Sequence, residues 1–249
     1  MRRVDTPKTL QIAALVMIAL LNAPQAARAD NTSCALKQSD EAMLACAAAS
    51  LDMLIPQINN ARWRDQSFRE QAKILIRQGS AAKAIELITQ ISNEDTKALT
   101  IRAIGVAMAD LSLDADILNA HFDTLHAQAM AITHTGSQDI ALTYIAIAES
   151  SAGLFERALT TAQTLKTVSL RNKSYQEIAE ILSVKGDVEN SFKALQLIDD
   201  AAFQNKAYGI VAGLLIKHKQ LPAALKAAEH IQDPYIKANT VLNIINAAE

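Results

Sequence analysis

An all-α chain of stacked helical hairpins is the fold class this sequence predicts, and three observations carry the prediction. The first is a period of 33 residues. Gly153, Gly186 and Lys219 share one phase of it; Ala158, Ser191 and Ala224 share another; Leu165, Ile198 and Ile231 share a third. Ala146, Ala179 and Ala212 recur seven residues before the first set. A fixed period in this range marks paired helices, each pair burying the apolar face of the next. The second observation is composition. Half the chain is apolar but only 4% is aromatic, with 7 glycines and 5 prolines. Alanine-rich sequence short of turn residues favours closely packed helices over a β-sandwich. The third is local spacing: Tyr175, Ile178, Ala179, Ile181 and Leu182 fall three and four apart, on one side of a helix. The architecture expected is an α-solenoid of antiparallel hairpins, about 33–37 residues each.

Taken in chain order, residues 1–29 read as a secretory signal. Arg2, Arg3 and Lys8 precede an apolar run from Leu10 to Leu21, and Ala27-Arg28-Ala29 places small residues at both recognition positions of a cleavage site. The run is too short to span a bilayer, and no stop-transfer segment follows. A bacterial periplasmic or secreted protein is expected, without stable membrane insertion after cleavage. Cleavage would remove four of 24 basic residues and one of 26 acidic residues, leaving a net charge of −5. That balance offers no basic footprint for nucleic acid. Residues 30–59 form the N-terminal segment and first helix, from Ser39 to Leu54. Its two cysteines, Cys34 and Cys46, are expected to form one disulfide in an oxidising compartment. Cys-x-x-Cys is absent and no histidine lies near them, which argues against redox or metal chemistry there.

Repeats occupy residues 60–249. Ser67 to Ile76 and Ala81 to Ile91 form a hairpin in which Gly79 ends one helix and Ser80 caps the next. From Gly79 to Gly153 is two units of about 37 residues, so residues 97–136 hold one longer, degenerate copy, with helices from Thr96 to Asp110 and Ala115 to Ile132. Ile140 to Ser150 and Leu154 to Leu165 form the next hairpin. The best-formed unit spans Asn172 to Ile198; Gly186 stops its first helix, Asp187 caps its second, and Val188, Ser191, Phe192 and Leu195 line that second helix. The following unit repeats the plan with Tyr208, Ala212, Leu215, Leu221, Ala224, Leu225 and Ala228. Pro222 falls in the first turn of a helix, where its missing N–H does no harm. Asp233-Pro234 opens the last helix.

Three units resemble tetratricopeptide repeats. That consensus has a small residue at position 8, glycine near 15, an aromatic near 17 and alanine at 20 and 27. Ala179, Gly186, Val188, Ser191 and Ile198 take those places. So do Ala146, Gly153, Phe155, Ala158 and Leu165, and Ala72, Gly79, Ala81, Ala84 and Ile91. The consensus tryptophan, the Leu-Gly pair and the closing proline are missing. The resemblance implies a right-handed superhelix whose concave face, lined by the first helix of each hairpin, binds peptides or proteins. Positions 2, 5, 9 and 12 would face that groove: Gln66, Arg69, Lys73 and Ile76; Ile140, Thr143, Ile147 and Ser150; Lys173, Gln176, Glu180 and Ser183; Lys206, Gly209, Gly213 and Ile216. Arg69, Lys73, Lys173, Gln176, Glu180 and Lys206 are the candidate partner-binding residues, the cations forming a strip able to hold a carboxylate, a phosphate or an acidic peptide.

Other features point away from chemistry. Gly-x-Ser-x-Gly, phosphate-cradling glycine loops and His-Glu-x-x-His are absent. Asp114/Asp116 and Asp199/Asp200 sit at turns, where capping is the ordinary role. His121 and His126 are five apart and point in different directions around a helix; with His134, His218 and His230 they give no zinc spacing, and no metal or cofactor is expected. Gly209 and Gly213 share a helix face and call for close packing or a ligand backbone. Trp63, between Arg62 and Arg64, is expected to pack at the end of the stack, with partner anchoring as the other reading. A non-catalytic binding or scaffolding module is expected; the alternative is an accessory subunit of a cell-envelope enzyme or assembly system. Direct glycan cleavage would need a buried glutamate of raised pKa facing a cleft; Glu180 is the repeat-face glutamate nearest that description.

Overall fold

The computed structural model describes Cys34, residues 39–111 and residues 113–249; the expected signal segment lies outside these. The described residues contain helices and no strand, and no helix among them is long and apolar enough to cross a membrane. The chain divides into two compact units, Met1–Leu54 and Ile55–Glu249. In the first, α1 spans Asp40–Leu54, and the expected disulfide is present, joining Cys34 to Cys46 with their Cα atoms 5.4 Å apart. None of the α1 side chains is buried.

The second unit is a succession of hairpins: α2 (Ala61–Arg77) and α3 (Ala81–Glu86), α4 (Glu94–Ala109) and α5 (Ala115–Met130), α6 (Thr135–Ser151) and α7 (Phe155–Gln163), α8 (Val168–Val184) and α9 (Val188–Gln196), α10 (Ala201–Lys217) and α11 (Leu221–His230), then α12 (Pro234–Ala248). Each first helix packs on the next first helix and on its own hairpin partner. The main contacts therefore link elements close in sequence, and one continuous apolar core runs from Ala72 to Ile244.

Local chemistry explains the boundaries. Gly79, Gly153 and Gly186 have φ of 76°, 85° and 85°, and Lys219, in the same phase, has φ of 60°. All four close the same C-terminal motif. At Gly153, its N–H bonds to the Ser150 carbonyl and the Leu154 N–H to the Glu149 carbonyl; at Lys219 the pairs are Ile216 and Leu215. Asn60, Asn93, Asp187, Asp200 and Asp233 accept the N–H three residues on, as N-caps do. Ser80, expected to cap α3, makes no side-chain capping bond, and the expected helix to Ile91 tightens into a 3-10 turn over Leu87–Gln90. Three first helices begin earlier than their apolar spacing indicates: α2 at Ala61 instead of Ser67, α6 at Thr135 instead of Ile140, and α8 at Val168 instead of Asn172. Their opening turns carry capping and polar residues, so the apolar period is silent there. Both expected helices of the degenerate unit are present, as α4 and α5. α5 has 16 residues against nine in α7 and α9, which accounts for the longer repeat.

A buried polar ladder ties successive hairpins together. The fifth residue of a first helix reaches the loop 27–28 residues ahead, just where the next first helix starts. Asp65 Oδ2 accepts the N–H groups of Ser92 and Asn93 at 3.1 and 2.7 Å. Asp139 accepts those of Lys166 and Thr167 at 3.2 and 2.7 Å. Asn172 Oδ1 takes the Asp199 N–H, and Asn205 Oδ1 those of Gln232 and Asp233. In α4 the fifth residue is the buried Ala98. There Glu94, the first residue, takes over and accepts from Thr133 and His134, both at 2.8 Å.

Candidate functional site

The six candidate binding residues stand on the first helices but in different surroundings. Arg69 and Lys73, half-buried on α2, both bond Glu70, at 3.0 and 2.8 Å. Lys73 foremost, with Arg69, holds the Glu70 carboxyl below its ordinary pKa against the opposing effect of burial. On α8, exposed Lys173 lies 3.4 Å from Glu177, and Gln176 donates to Glu180 at 2.6 Å. Lys206 is exposed on α10. The expected strip is thus two clusters, on α2 and on α8–α10, separated by α4 and α6.

Burial corrects several further positions expected to face outward. Ile76, Thr143, Ile147, Ser150 and Ser183 are buried. On α6 the reason is its central place: α4 and α8 pack along it, and twelve of its 17 residues are buried. Nothing in the structure explains the unpaired Thr143 and Ser150 hydroxyls. The two glycines of α10 separate. A Cβ on Gly209 would meet Ile236 Cγ2 of α12 at 3.4 Å, a close but ordinary packing contact; a Cβ on Gly213 would meet nothing within 4 Å. Trp63, expected to pack, is 64% exposed.

Two cavities adjoin along the first-helix face between α2 and α4. One, about 560 Å³, has Arg62, Gln66, Arg69 and Leu99 in its wall, with buried Asp65, whose Oδ1 has no partner. The other, about 490 Å³, shares Arg69 and Leu99 and adds Lys73, Arg102, Val106 and Asp110. The Arg102 guanidinium lies 4.1 Å from the centroid of the Tyr144 ring on α6, within cation–π range.

A third cavity, about 310 Å³, lies on the second helices α5 and α7, lined by Asp123, His126, Arg157, Thr160 and Thr161. Arg157 bridges two carboxylates, donating through Nε to fully buried Glu149 at 2.5 Å and through a terminal nitrogen to exposed Asp123 at 2.6 Å. Burial raises the Glu149 pKa, opposed by hydrogen bonding from Thr161 and Arg157. Burial works against the Arg157 charge too, but the two carboxylates outweigh it and its pKa is raised. Burial and then the Arg157 charge lower that of His126, against the attraction of Asp123. Glu149 therefore has the raised pKa required of a general acid, a property looked for at Glu180, where the structure places a partly exposed carboxylate bonded to Gln176. Glu149 is not among the residues lining the cavity, and its contact with Arg157 makes it a structural acid in this arrangement. Glu149 falls in the 33-residue phase of Leu182 and Leu215, both buried, so the period marks its position as core even though the residue type does not.

The remaining sequence candidates are placed at helix ends. His134 caps α6 and its Nδ1 lies 2.7 Å from the Ser137 hydroxyl; His218 and His230 stand at the C-terminal ends of α10 and α11. His230 also stacks on Tyr208 with ring centroids 5.0 Å apart. Asp200 caps α10 and Asp199 pairs with Arg171 at 2.7 Å. Among the described residues no group of three or more histidine, cysteine, aspartate or glutamate side chains is placed to hold a metal ion. No protein-family model matches the chain, and no curated protein matches it.

Proposed function

We propose that this chain is a periplasmic or secreted binding module: a tetratricopeptide-like, right-handed solenoid that holds a peptide or protein segment along the face made by its first helices, with no covalent step. The observation that carries the reading is the pair of adjoining cavities between α2 and α4, which share Arg69 and Leu99 and are walled by cations and apolar side chains. The uninterrupted packing of first helix on first helix supports it, because such packing puts their outer sides on one continuous face. Charged hydrogen bonds would set the register of a bound segment and apolar contacts its affinity.

The test is photo-crosslinking in the producing cell. Probes at Gln66 on α2 and Gln176 on α8 are compared with a control at Lys226 on α11. The expected result is one discrete partner captured from the first-helix probes and absent from Lys226. Capture from Lys226 alone, or from no position, would overturn the reading.

A further inference from the structure

Aligned by their N-caps, the first helices show where this face changes character. The sixth and thirteenth residues are Gln66 and Lys73 on α2, and Lys173 and Glu180 on α8. Between them stand Leu99 and Val106 on α4, and Ile140 and Ile147 on α6. Leu99, Val106 and Ile140 are 40%, 47% and 37% exposed, although each lies on a helix with a well-filled core side. The two helices bearing them are drawn close at Gly105, where a Cβ would sit 3.4 Å from that of Ala148. Exposed apolar side chains grouped on one face are the usual mark of a surface that something covers.

Four cations, Arg62, Arg69, Lys73 and Arg102, stand around this floor against the carboxylates of Asp65, Glu70 and Asp110, and the cations are partly uncommitted. Arg69 and Lys73 share Glu70. Arg62 and Arg102, in the walls of the two joined cavities, pair with no carboxylate of the described residues. Stacked on Tyr144, the Arg102 guanidinium is held by its face, which leaves its in-plane N–H donors for a carboxylate. A covering partner therefore needs apolar side chains for Leu99, Val106 and Ile140 and carboxylates for Arg62 and Arg102.

Resting on the binding-face reading above, we infer that the α2–α4–α6 section is the specificity site, and that its occupant is an extended protein segment alternating acidic and apolar side chains. The lysines of α8 and α10 lie outside it. The degenerate repeat is then the recognition unit, its α4 carrying Leu99 and Val106 where α2 and α8 carry Gln66, Lys73, Lys173 and Glu180.

Three labelled ten-residue peptides test this by fluorescence anisotropy against the full chain: glutamate alternating with leucine, lysine alternating with leucine, and glutamate alternating with serine. Only the first is expected to bind saturably. Arg102→Glu and Arg62→Glu should each weaken it at least about tenfold, and Lys206→Glu should leave it unchanged, with circular dichroism showing all three variants folded. Val106→Asp supplies a second variant for the apolar floor and should weaken it likewise. Equal binding of the lysine peptide, or insensitivity to both arginine variants, overturns the inference. Binding lost only in Lys206→Glu overturns its location while the binding face stands. Absence of peptide binding with crosslinking intact at Gln176 overturns its chemistry alone; absence of both removes the binding-face reading as well. Stronger association with phosphatidylglycerol vesicles than with the acidic–apolar peptide would assign the cations to a lipid surface and overturn it too.

Discussion

Lys219 occupies the backbone conformation that glycine takes in the same phase at positions 153 and 186. A side chain in that conformation costs about 1–2 kcal/mol, less the greater chain entropy that glycine gives up. Lys219→Gly is therefore expected to stabilise the fold by about 1 kcal/mol in urea unfolding. Gly186→Ala should destabilise it by about 1–2 kcal/mol, on conformation alone, since the nearest atom to the added Cβ is 3.9 Å away. No gain from Lys219→Gly would mean that the turn tolerates a side chain freely. Glu149 gives a second prediction at this scale. Its pKa is raised in the fold, so the stability linked to its proton is fully present below the ordinary carboxyl range and is lost as pH rises through the raised value. Glu149→Gln keeps a neutral side chain at every pH, so its stability relative to the unsubstituted protein should improve as pH rises above the ordinary carboxyl range. A difference constant over that rise would show that Glu149 titrates alike in both states. The glycines were legible in the sequence because only their phase mattered. Glu149 shares its phase with the buried Leu182 and Leu215, so its position was legible too; that Arg157 would meet its carboxylate there was not.

The helices themselves owe most to local sequence. Asp187, Asp200 and Asp233 start helices and Gly186 stops one, where capping chemistry places them. What joins one hairpin to the next is a residue that the apolar period passes over. Asp139, Asn172 and Asn205 are 33 apart, and the loops they hold recur with the same spacing. That recurrence was available as a signal, yet polar residues on a helix read as solvated surface until their partners are placed. Asp139→Ala removes a buried charged acceptor from two loop N–H groups and should cost about 2–3 kcal/mol. Asp139→Asn should cost less, since Asn172 and Asn205 serve the same register. Equal losses from the two variants in urea titrations would count against the ladder as the reason. Where α4 places alanine at this position, Glu94 acts from the helix start. Its carboxyl is held below the ordinary range, chiefly by the Thr133 backbone N–H, so that contact weakens as pH falls through its pKa.

At the scale of the whole second unit, helices pack mainly on near neighbours in sequence. Damage at one end should therefore stay there. Tyr208 is buried on α10 against Phe192 and His230, and truncating a buried aromatic costs about 3–5 kcal/mol. In Tyr208→Ala, amide hydrogen exchange should accelerate in α10–α12 while α4–α6 keep their protection. Uniform acceleration would show instead that the unit opens as a single cooperative body.

By itself the sequence determined the all-α class, the helical pairs, the one longer repeat and the cysteine pair. These rest on periodicity, capping and short-range covalent reach, and all of them act within a few tens of residues. Tertiary structure alone decided which outward positions stay outward. Packing of α4 and α8 along α6 buried Thr143 and Ser150; Leu99 and Val106 on α4 and Trp63 on α2 stayed exposed, and the expected cationic strip was divided in two. A period records which residues are equivalent in register. Whether equivalent residues meet water, a neighbouring helix or another charge depends on how closely each pair of helices approaches, and that distance is set by side chains on both.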